Sequence, residues 1–236
     1  MNVVDIVILA VIGLSVIYGF YRGFVRTVLN VGCLIAAVII AFTFSGRLAS
    51  AVRGNEGITG TLATYTDAVA RVGDYDLAST SVQGISESLI DKVLTSVNLP
   101  ESISNILRAN LTNASFSGTA LTTVNDYVSN TVVAVAVNVL CFLLCFLAAY
   151  AVLSILASLI HNVFRFPILK QLDWLAGGAF GLLRGAMLVY LIFLLVPVLS
   201  TVVPLNAFSE ALQKSTLAPV FTSDGFFAGV ISGKLF

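Results

Sequence analysis

Arg184 is the residue whose setting most invites chemistry. It lies ten residues inside the apolar stretch Trp174–Val203 and is the only charge in those thirty residues. About 20 apolar residues cross a bilayer, so the stretch is long enough to span one. A guanidinium at that depth costs at least about 2.5–3.5 kcal/mol, and it therefore faces protein or a water-filled cavity. Three roles fit such a cation: a buried structural ion site, a lining residue of a substrate or ion pathway, or a side chain that snorkels to the membrane boundary. Two acids approach it in depth. Asp173 precedes it by eleven residues on the same helix face, about 16 Å away along the axis. Asp5 comes from the opposite leaflet on the first apolar segment. Either could pair through water, and neither spacing enforces direct contact.

Small residues surround the cation in sequence. Gly177, Gly181 and Gly185 recur at four-residue steps on one helix face, with Gly178 beside them. Gly19 and Gly23 repeat the step at the end of the first apolar segment. In lipid, where van der Waals contact drives helix association, such steps let two backbones approach closely. The partner of this face is either another helix of the same chain or a neighbouring subunit.

Signals for catalysis are missing. His161 is the only histidine and stands at a membrane boundary. No G-x-S-x-G turn, H-E-x-x-H, paired C-x-x-C, P-loop or G-x-G-x-x-G occurs. Cys33, Cys141 and Cys145 lie in apolar runs without His, Asp or Glu, which reads as packing rather than as a disulfide framework or metal site. We expect no catalytic residue, no metal and no cofactor.

The elements that must position these residues are membrane helices. Of 236 residues, 58% are hydrophobic and 10% are charged, against roughly 25% charged in soluble domains. Twelve basic and twelve acidic residues balance, and no basic patch suggests nucleic acid. Four apolar segments stand out: Val3–Tyr21, Thr27–Gly46, Val132–Ile160 and Trp174–Val203. The third, at about 43 Å as a helix, must tilt or protrude. The first has Asp5 near its start and its arginines after it, so it reads as an uncleaved anchor rather than a signal peptide.

The expected fold is all-α: four transmembrane helices with a helical extracytoplasmic insertion between helices 2 and 3. Residues 1–46 form a helical hairpin, 47–130 the insertion, 131–204 helices 3 and 4, and 205–236 an amphipathic tail resting at the outer interface. The insertion carries eight acidic and five basic residues. Its apolar stripes, Val82, Ile85, Leu89, Val93, Val97 and then Ile103, Ile106, Leu107, Leu111, predict two helices. Ile58, Leu62, Tyr65 and Val69 suggest a third. Asn110-Leu111-Thr112 and Asn113-Ala114-Ser115 match the glycosylation acceptor pattern at a frequency chance explains. The short links with Arg22 and Arg26, and with His161, Arg165 and Lys170, predict those two links on the cytoplasmic side. Both termini and residues 47–130 then lie outside.

Taken together, Asp5, the run Arg22-Gly23-Phe24-Val25-Arg26, and Asp173 followed by Gly177, Gly181, Arg184 and Gly185 resemble the colicin V production (CvpA) family of bacterial inner-membrane proteins. The likeness covers the four apolar segments. Thr27 stands where the family often has an acid, and the long middle region resembles the extended Gram-positive versions. The resemblance implies a multi-pass cytoplasmic-membrane protein tied to toxin production or export and to envelope physiology. It supplies no defined molecular activity. Its expected partners are the lipid bilayer and membrane proteins, or further copies of the chain. Three hypotheses remain open: a noncatalytic interaction protein, a small oligomeric channel or transporter with Arg184 in its pathway, and a membrane enzyme.

Overall fold

The computed structural model describes residues 2–70, 72–97, 99, 101–113, 115, 121–163, 170–202, 211–212, 214–222 and 230. Among these, every regular element is a helix: α1 (Val3–Arg22), α2 (Phe24–Arg53), α3 (Glu56–Ala70), α4 (Tyr75–Ser79), α5 (Glu87–Ser96), α6 (Glu101–Thr112), α7 (Val124–Val163), α8 (Lys170–Val202) and α9 (Ala218–Thr222). Four of them are long and apolar enough to cross a membrane: Val3–Arg22, Phe24–Arg53, Val124–Leu159 and Asp173–Val196. The all-α membrane architecture is therefore as expected. The side chains of His161, Arg165 and Lys170, of Tyr65 and Val69, and of Leu205, Phe208, Phe226, Phe227, Ile231 and Phe236 lie outside the described residues.

The chain divides into two compact units. The first holds Met1–Ser45, Cys141–Phe193 and Glu210–Phe227. In it α2 buries Thr27, Val31, Leu34, Ala37 and Ala41, a row spaced at three and four residues. Beside this row α2 meets the second half of α7, where Phe42 packs on Phe142 at 4.9 Å between ring centroids and the Cys33 thiol donates to the Leu153 carbonyl at 3.5 Å. The three cysteines are unbridged.

The second unit holds Gly46–Leu140, Leu194–Ser209 and Ala228–Phe236. Helices α5 and α6 pack as a pair, with Ile90, Val93 and Val97 facing Ile103, Leu107 and Leu111 in its buried core. The stripe read from sequence is shifted slightly. Ile90 is fully buried, Leu89 only half-buried, and Val82 and Ile85 precede the helix, in the turn that leads into it. That turn is held by a single antiparallel bridge, Ser81 to Thr123, with the Val82 N–H donating to Thr122 at 3.0 Å and the Val124 N–H to Thr80 at 2.9 Å.

Helix α7 starts at Val124, where the stripe Leu121, Val124 and Val128 leads into the apolar run, and its first half is the core of this unit. Val124, Tyr127, Val128, Val132, Val135, Ala136, Val137 and Val139 are all buried. About 61% of its apolar window is covered by protein, against 22–28% for the other three. A helix that is apolar on every side is buried on every side; here protein supplies much of that cover. On α6, Asn110 donates its side-chain amide to Thr131 of α7 at 2.9 Å. The nitrogen that a glycan would need is thus engaged in packing, and Leu111 beside it is buried.

Candidate functional site

The two motif blocks that stood 150 residues apart in sequence meet face to face in the first unit. α1 and α8 run antiparallel. A Cβ placed on Gly177 would lie 2.5 Å from the Gly19 carbonyl oxygen, one on Gly181 2.6 Å from the Ser15 oxygen, and one on Gly185 2.9 Å from the Ile12 Cα. The atoms met are backbone, so no side chain can rotate away to make room. Ser15 and Gly19 of α1, continued by Gly23 at the corner after it, thereby form a row of small residues that matches Gly185, Gly181 and Gly177 on α8. Beside the row, the Phe20 ring fills the space that Gly178 leaves open and stacks on Trp174 at 4.4 Å. Phe24 meets Phe180 edge to face at 5.4 Å. Within the chain, the glycine face of α8 is thus occupied by α1.

Asp173 closes one end of the seam. Its Oδ1 accepts the Phe24 N–H at 2.8 Å. Phe24 opens α2, so Asp173 caps a helix N-terminus from a different helix, where the backbone donors are orphaned and the dipole favours an anion. The chain turns between α1 and α2 at Gly23 alone, with φ 79° and ψ 172°. That region is essentially reserved for glycine. Its Cα also lies hard against the Asp173 carboxylate, and a Cβ there would collide with Oδ2. Arg22 is exposed at the end of α1. Arg26 is half-buried on the first turn of α2, with no hydrogen bond or ion pair to another described residue.

Arg184 pairs with neither acid. Side chains on a helix lean towards its N-terminus, and on α8 this carries the guanidinium towards the Arg22 end of α1. There it lies over the Tyr18 ring, 4.6 Å from the centroid, while the Arg22 guanidinium lies over the same ring at 5.1 Å. The Nε of Arg184 is buried without a hydrogen-bond partner.

Asp5 is fully employed elsewhere. It sits 2% exposed in the first turn of α1, where Oδ2 accepts the Asn2 N–H at 2.9 Å and closes the helix start. Its Oδ1 accepts the Ser215 hydroxyl at 2.6 Å and the Thr216 and Leu217 N–H groups at 3.1 Å. Asn2 also donates its side-chain amide to the Ala211 carbonyl at 2.5 Å. Just beyond, Phe221 of α9 packs between Tyr190 and Phe193 of α8. The described part of the tail is therefore pinned to α1 and α8. Asp5→Ala should free this segment. Limited trypsin digestion of the detergent-purified protein should then cut at the exposed Lys214 faster than in the wild type, read by intact mass; equal rates would contradict the pinning.

Sequence reasoning missed Tyr18, Ser15 and Ser215. Tyr18 had a signal, since it stands four residues before Arg22 and so on its helix face. Ser215 had none, because its partner is 210 residues away. Among the described residues no group of His, Cys, Asp and Glu could hold a metal ion. In comparison with known proteins, residues 4–97 and 109–225 match the family model of the colicin V production protein. No curated protein and no solved structure matches the chain significantly.

Proposed function

The chain belongs to the colicin V production protein family, and from that premise we propose that it acts as a noncatalytic membrane protein that supports toxin production or export, or envelope homeostasis, through membrane partners. One observation carries the reading. Gly19, Gly23, Asp173, Gly177, Gly181 and Gly185 are engaged in packing and capping, and Asp5 in anchoring the tail. This is the pattern of a rigid membrane scaffold. The faces left over are apolar, with Val3, Leu14, Ile17 and Tyr21 of α1 all exposed. They suit lipid or the helices of another protein, including a second copy. In this reading the protein is multi-pass in the bacterial cytoplasmic membrane. The Arg22–Arg26 link and the link before α8 face the cytoplasm, and the termini and residues 47–130 lie outside.

The test is in-membrane photocrosslinking from α1 positions 14 and 17, followed by purification of the full chain from native membranes. The expected result is one reproducible crosslinked partner or a self-crosslinked dimer. Repeated recovery of nothing above a no-light control would remove the proposal. A second reading, transport, draws on Arg184 alone, a cation within a spanning helix with an unpartnered Nε. Purified protein in liposomes that passes no ions above empty liposomes would dispose of it.

A further inference from the structure

We propose that Arg22, Arg184 and Tyr18 form a binding site for a phosphate-type anion, presented by a lipid headgroup or in free form. The inference is independent of the partner reading above. Two guanidinium groups from different helices lie over the one Tyr18 ring: Arg22 at 5.1 Å and Arg184 at 4.6 Å from its centroid. Like charges brought together repel, most of all where water is scarce. A single tyrosine quadrupole offsets only part of that. The two described carboxylates of this unit are committed elsewhere, Asp173 to the Phe24 N–H and Asp5 to the tail loop. Neither arginine has a described hydrogen bond or ion pair, and the Arg184 Nε is buried without a partner. The cluster is thus an uncompensated pair of rigid five-donor forks, the geometry that matches phosphate oxygens bidentately.

Its position suits that ligand. Arg22 ends α1 and is exposed, while Arg184 reaches it from the middle of the Asp173–Val196 span along the α1–α8 seam. A phosphate at the membrane boundary would meet Arg22 from the water side and Arg184 from the bilayer side. The Tyr18 ring holds both cations in place before the anion arrives, which lowers the ordering cost of binding.

The experiment uses the full chain in detergent, exposed in turn to phosphatidylglycerol, phosphatidylcholine and inorganic phosphate. Native mass spectrometry reads retained lipid, and thermal shift reads phosphate. The expected result is preferential retention of phosphatidylglycerol, with Arg22→Gln and Arg184→Gln each lowering it about tenfold, the size of one lost charged hydrogen-bonding contact. Stabilisation by inorganic phosphate without lipid preference, abolished by the same variants, would identify a free anion as the ligand and also support the site. If neither probe binds the wild type better than the variants, the proposal is overturned. Arg22 is exposed, so Arg22→Gln should fold normally and keep the test valid if Arg184→Gln does not.

Discussion

Gly177→Ala should destabilise the protein by at least about 1–3 kcal/mol, the usual cost of forcing a methyl group into a closed core. The added carbon would sit 2.5 Å from the Gly19 carbonyl oxygen and 2.9 Å from the Gly23 carbonyl carbon. Both are backbone atoms, one in α1 and one in the corner that follows it, so relief requires α8 to move away from them. In lipid that separation forfeits the close van der Waals contact that holds the helices together. Gly181→Ala should behave alike, since its Cβ would meet the Ser15 oxygen at 2.6 Å. Gly32→Ala is the control. It lies on an exposed face of α2 with nothing within 4 Å and should leave the protein as stable or more so, by up to about 1 kcal/mol of helix propensity. Thermal unfolding in detergent, with membrane level as a second readout, would check all three. Equal losses at Gly177 and Gly32 would contradict the seam.

The corner at Gly23 offers a second large effect and a sharper test. Gly23→Ala carries two penalties: about 1–3 kcal/mol for a backbone region that side chains avoid, and a collision with the Asp173 carboxylate. Asp173→Ala carries a different one, the loss of the cap on α2, about 0.5–2 kcal/mol. Combining them removes the collision, so the double variant should be more stable than the sum of the singles predicts, by about 0.5–3 kcal/mol. Asp173→Asn keeps an oxygen that can accept the Phe24 N–H at its present 2.8 Å, and it should retain most of the wild-type stability. Were Asp173 instead the charge partner of Arg184, the asparagine and alanine variants would be equally damaging. Strict additivity, or that equality, would dismantle this corner.

Much of the architecture was legible because hydropathy is a local property. A thirty-residue run with one charge cannot be soluble surface, and a glycine every fourth position on a helix marks a face that meets another backbone closely. The stripes Val93–Val97 and Ile103–Leu107–Leu111 likewise announced the paired helices of the insertion. The start of α7 was legible only as the stripe Leu121, Val124 and Val128 leading into the apolar run. Thr131, Asn125 and Asp126 dilute its first turns, and only the surrounding helices, through contacts such as Asn110 to Thr131, make that stretch continuous and buried.

Within the site, the chain by itself determined which residues matter and that Arg184 needs shielding from lipid. Which residues answer one another was decided by tertiary structure. Asp173 reaches Phe24 across 149 positions and Asp5 reaches Ser215 across 210. Both acids were candidates for Arg184 by depth alone, yet backbone donors at a helix start and in a tail loop claimed them. The physical reason is that a carboxylate goes where orphaned N–H groups converge, and that convergence exists only once distant helices have packed.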